Sequence, residues 1–78
     1  MKIKLTKLKS NNKNLRTDYV IGDCDDLPQL GQSFLMTAPP LESGNIRIVE
    51  TSPVMSIKIL DGVYLFNTEN SLYKLEQL

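Results

Sequence analysis

The residues able to do chemistry are few, and they fall in separate stretches. Asp23, Cys24, Asp25 and Asp26 form a short acidic run with a thiol inside it. Paired carboxylates can trade protons or hold a hard cation, and a thiolate can attack an electrophile. The spacing argues against each. The ligand positions and closing glutamate of an EF-hand calcium loop are missing. Aspartates on both sides of Cys24 raise its pKa by charge repulsion, so an easily formed thiolate is not expected. Glu50 could in principle pair with one of the aspartates. Such pairs work in a substantial cleft, and a chain of 78 residues has little room for one. There is no histidine, so histidine-based triads and general bases are excluded. A single cysteine excludes an intramolecular disulfide and, without histidine, makes a conventional zinc site implausible. Neither a P-loop nor a GxGxxG fingerprint is present. The expectation is a protein without catalysis, cofactor or metal.

Binding residues are better supplied. Lys2, Lys4, Lys7 and Lys9 could contact phosphates, with Tyr64, Phe66 or Tyr73 stacking on bases. The formal net charge of zero argues against broad nucleic-acid affinity. The charge is unevenly placed: residues 1–16 carry six basic residues and no acid, and the rest carries three basic and nine acidic residues. That asymmetry suits an acidic partner at one end, or a basic strand lying beside acidic loops. A protein-binding surface would use Arg47, Lys58, Tyr64 and Tyr73, because tyrosine and arginine join contact area to hydrogen bonding. Thr51, Ser52 and Asn70, near strand ends, would form its polar rim.

Those side chains must be positioned by strands. Residues 46–51, 54–60, 63–68 and 71–76 read as strands, the last three a meander. Asp61-Gly62 joins two of them and permits positive φ at both positions. Glu69-Asn70 offers a weaker second turn. Met55, Ile57 and Ile59 alternate with Ser56 and Lys58, which predicts a buried face. Pro53 is expected to bend or stop the strand before it. Residues 63–66 are all apolar or aromatic, so both faces should be covered or one should bind. Upstream, 2–9 alternates until Leu8 breaks phase, which a bulge near Thr6-Lys7 would restore. Its lysines suit an edge. Residues 10–14 read as a loop and 15–22 as a strand with Tyr19 and Ile21 opposed to Val20. Phe34 and Met36 share a face of the strand 33–37, which Pro39-Pro40 ends, and 41–45 complete a long connection.

Five to seven strands and no long helix predict a single all-β domain over residues 1–78. The expected form is a small, strongly curled antiparallel sheet or barrel, SH3-like first and OB-like second. No apolar run reaches the roughly 20 residues of a membrane-crossing helix, and the N-terminus lacks a secretory pattern, so a cytoplasmic protein is expected. The segments LPQLGQSFLMTAPPL, IRIVETSPV and FNTENSLYKL resemble short β-rich proteins encoded by bacteria and their phages. The resemblance covers about residues 15–76 and rests on Gly31–Phe34, Thr51–Val54 and Asn70–Tyr73. It implies a phage or mobile-element origin and brings no catalytic residue. Three functions follow as expectations. The first is a non-enzymatic module binding another protein or itself as a homo-oligomer, as an adaptor or inhibitor of a host protein. The second is a nucleic-acid-binding barrel using the basic N-terminal strand. The third is an oligomer holding a small ligand between subunits.

Overall fold

Alternating apolar and polar residues bounded by turn formers give seven strands: β1 Lys2–Ser10, β2 Tyr19–Asp23, β3 Ser33–Ala38, β4 Arg47–Pro53, β5 Ser56–Leu60, β6 Val63–Asn67 and β7 Ser71–Gln77. The structure, a computed structural model, describes residues 1–10, 19–38 and 47–78. The expected loops at 11–14 and 41–45, the strand start at 15–18, Pro39-Pro40 and Ile46 lie outside the described residues.

The strands form one antiparallel sheet in the order β4-β3-β2-β1-β7-β6-β5. The all-β expectation and the β5–β6–β7 meander are therefore realised. The sheet is not closed: β4 and β5 are its two edges. It is nevertheless strongly folded over. Phe34 on β3 and Phe66 on β6 have ring centroids 5.6 Å apart, with β2, β1 and β7 between them in the sheet. In a flat sheet those strands would stand about 19 Å apart. Val54 and Met55 carry the chain from one edge to the other. The Val54 N–H donates to the Gln32 carbonyl at 2.9 Å, the Gly31 N–H donates to the Val54 carbonyl at 2.8 Å, and the Met55 N–H donates to the Asn67 carbonyl at 2.7 Å. Among the described residues no helix is long and apolar enough to cross a membrane.

Ile3, Leu5, Cys24, Phe34, Met36, Val54, Phe66 and Leu75 fill the space inside the fold. Register explains which residues join them. Ile57, Phe66, Tyr73 and Lys7 occupy one row across four strands, and Ile59, Tyr64, Leu75, Leu5 and Val20 occupy another. Both rows face inward. Tyr64 and Tyr73 are consequently half-buried against the core, and Tyr73 stacks on Phe66 at 5.1 Å. The expectation that these tyrosines lie on an outer surface is corrected.

The buried face assigned to Met55, Ile57 and Ile59 is also corrected. Ile57 is half-buried, but Ile59 is 57% exposed and Met55 66% exposed. Along its row exposure climbs from 0% at Leu75 to 57% at Ile59, because β5 ends the sheet and no further described strand covers it. Alternation defines a face correctly and says nothing about whether that face extends past the edge of the core.

One bulge and one placement also differ from expectation. In the β1–β7 ladder the register shifts between Lys7 and Lys9, so Leu8 is itself the extra residue and is exposed rather than returned inward. β4 ends at Pro53, within the break expected at Thr51-Ser52-Pro53, with its register shifting opposite Ser33 to Leu35; the proline is accommodated at an edge, where a missing donor costs least. β1 is a central strand paired on both sides, so its lysines do not guard an edge.

Candidate functional site

The strand β5 has the composition SIKIL and, among the described residues, a strand neighbour, β6, on one side only. It is closed to β6 by Asp61 and Gly62, whose φ values are 51° and 77°. Positive φ at both positions is the type I′ geometry that matches sheet twist, and aspartate and glycine tolerate it best. A two-residue loop of this type is flanked by a pair that exchanges both backbone hydrogen bonds. Leu60 and Val63 are that pair. Ser56, Lys58 and Leu60 therefore turn their backbone groups toward β6, and Ile57 and Ile59 turn theirs toward the open side. Around those outward-turned groups, which have no partner among the described residues, stand three large apolar side chains, Met55, Ile59 and Leu60, each at least 50% exposed. An aliphatic edge with free donors and acceptors can template a further strand.

The opposite edge is built differently. Thr51 is buried; its hydroxyl accepts the Phe34 N–H at 3.0 Å and donates to the Ser52 carbonyl at 2.8 Å. Pro53 offers no N–H, and Glu50 is exposed. A bulge, a proline and a charge are devices that discourage pairing.

The expected binding residues do not form one site. Lys58 lies exposed on the outer face of β5, and Asn70 is exposed in the β6–β7 turn. Ser52 is exposed on β4, while Thr51 is occupied inside the fold. Arg47 begins β4 opposite Ala38, and its side chain lies outside the described part. Tyr64 and Tyr73 belong to the core side. Met55 and Ile59 were missed, because strict alternation reads as burial whether a strand is central or at an edge, and Leu60 reads only as the approach to the Asp61-Gly62 turn.

The basic candidates also divide. Lys2 and Lys4 share the outer face, opposite the buried Ile3 and Leu5. Lys4 sits over the ring of Tyr19 at 4.5 Å. Lys7 lies in the inward-facing row and over the ring of Tyr73 at 5.7 Å. Lys9 follows the bulge and is exposed. Lys58, Leu65, Lys74, Thr6 and Tyr19 form an outer row across five strands, with Lys74 paired to Glu76 at 3.7 Å. The exposed aromatic on this face is Tyr19; Phe66 and Tyr73 are turned away.

Asp23, Asp25 and Asp26 are exposed. Asp23 pairs with Thr37 and Glu50 with Leu35. Among the described residues no three His, Cys, Asp or Glu side chains are grouped to hold a metal ion. Cys24 is buried, and its thiol is pushed above the ordinary value, first by burial. The N-terminal charge opposes that shift, and Asp25, Asp23 and Asp26 add to it. Burial, rather than the flanking charge inferred from sequence, is the main cause. A shallow hollow of about 270 Å³ lies beside it, lined by residues that include Leu35, Thr37 and Ile48.

No family model, curated protein or solved structure matches the chain.

Proposed function

We propose that this chain is a non-enzymatic protein-binding module whose contact site is the open edge of β5. One observation carries the reading: Met55, Ile59 and Leu60 stand in water beside the outward-turned backbone of Ile57 and Ile59. A partner segment in extended conformation would gain main-chain hydrogen bonds from that edge and apolar contact from those side chains. The fold suits a small curled scaffold of the SH3-like or OB-like kind, with binding on its outside. The resemblance to phage and bacterial proteins favours a role as adaptor or inhibitor of a host or viral protein, in the cytoplasm.

The test is backbone NMR of the protein titrated with a generic strand-forming peptide of alternating valine and threonine. Shifts concentrated on Ser56–Leu60 are expected. Shifts spread over β4, or none at millimolar peptide, reject the reading.

A second reading has its own observation. Lys4, Lys58 and Lys74 with Tyr19 on one outer face could track a phosphate backbone and stack one base. It predicts oligonucleotide binding that falls steeply with salt and is lost in Lys4→Ala and Tyr19→Ala. Binding that ignores salt removes it.

A further inference from the structure

We propose that the occupant of the β5 edge is a second copy of this chain, paired antiparallel about a two-fold axis at Ile59. The proposal rests on the reading of β5 as a strand-accepting edge. It adds the partner and the register.

The geometry of the strand selects both. Ile57 and Ile59 hold the outward backbone groups, so an antiparallel copy has three central registers. In one, Ile57 faces the partner's Ile57. That sets Leu60 opposite the partner's Val54, whose backbone N–H and C=O are already taken by Gln32 and Gly31; residues 30–32 occupy the space the strand would need. In the next, Ile57 faces the partner's Ile59. That sets Lys58 directly against Lys58 of the partner subunit, and like charges placed opposite one another are destabilising. In the last, Ile59 faces the partner's Ile59. Lys58 then lies opposite the partner's Leu60, with the partner's Asp61 one residue further on. The two-fold repeats that opposite-charge approach on the other side.

The last register satisfies the remaining demands as well. A two-fold axis perpendicular to the sheet keeps the inward faces of both copies on the same side, so the exposed Ile59 side chains cover each other. The axis produces a closed pair. Pairing of β5 with β4 of another copy would leave further edges open and build a chain of copies, and the β4 edge carries Pro53, Glu50 and a bulge against it. An edge of five residues is small beside the about 20–30 residues a side of stable interfaces. A weak dimer that dissociates on dilution is the expected form.

The experiment uses the full chain. Light scattering across a concentration series should show mass rising toward twice that of the monomer. Lys58→Glu, which sets like charge beside the partner's Asp61, should weaken the dimer at least tenfold, and adding Asp61→Asn should recover part of the loss. Ile59→Cys should oxidise to a covalent dimer, since a directly opposed, hydrogen-bonded pair holds its Cα atoms about 5.5 Å apart, within disulfide reach. Met55→Cys, more exposed but far from the axis, should not; native Cys24 is buried and does not compete. A mass fixed at the monomer up to millimolar concentration, or crosslinking at Met55→Cys as readily as at Ile59→Cys, overturns the dimer. If the generic peptide still shifts Ser56–Leu60 in that case, the binding edge stands and only the partner is wrong. If it does not, both readings fall.

Discussion

The two edges of this sheet, β4 and β5, follow one another in the chain and are built differently, although each leaves an isoleucine, Ile48 or Ile59, exposed. β4 is blunted by a bulge, by Pro53, by Glu50 and by a buried threonine that satisfies the Phe34 amide. β5 is a short, regular, aliphatic strand whose only charge is Lys58. Both would be liabilities if left open. That among the described residues only one carries these devices supports the proposed role of the other as a contact edge.

Substitutions in the core and at each edge separate their contributions. The largest effect is expected from Phe66→Ala, which removes the ring joining the β3 wall to the β6 wall and undoes both edges together. A loss of about 3–5 kcal/mol is expected in urea unfolding. Thr51→Val attacks β4 alone. It leaves the buried Phe34 N–H without an acceptor and should cost about 1–3 kcal/mol, with faster amide exchange at Phe34. Gly62→Ala attacks the turn that fixes β5, where φ is 77°. A loss of about 1 kcal/mol is expected, because alanine is strained there. Ile59→Ser should change the unfolding stability of the dissociated monomer least, by about 0.5 kcal/mol or less, since the side chain is in water there. A loss as large as that for Phe66→Ala would mean that Ile59 is a core residue, and the contrast between the edges would fail.

Much of the fold was legible because local chemistry and the final structure agree. Asp61-Gly62 announced its hairpin, and Phe34 and Met36 declared their shared buried face. The alternation of 2–5 marked Ile3 and Leu5 as inward. Strand order was not legible: nothing in residues 2–10 shows that β1 will sit between β2 and β7, far from an edge. The same gap hid the candidate site. Met55, Ile57 and Ile59 look like a core stripe until their row is seen to run out at β5. Tyr64 and Tyr73 look like surface anchors until register places them beside Phe66 and Leu75. Periodicity specifies which residues point the same way, and only pairing across distant segments decides which direction is inside.

That β1 pairs with β7 at the middle of the sheet has a consequence for synthesis. The first of the seven strands must wait for the seventh. Until residues 71–77 have left the ribosome, β1 has one strand neighbour instead of two, and no strand pairs the β5–β6 hairpin with the rest of the sheet. The nascent chain therefore carries two unfinished half-sheets until β7 stitches them together, and folding should be a late event dominated by contacts remote in sequence.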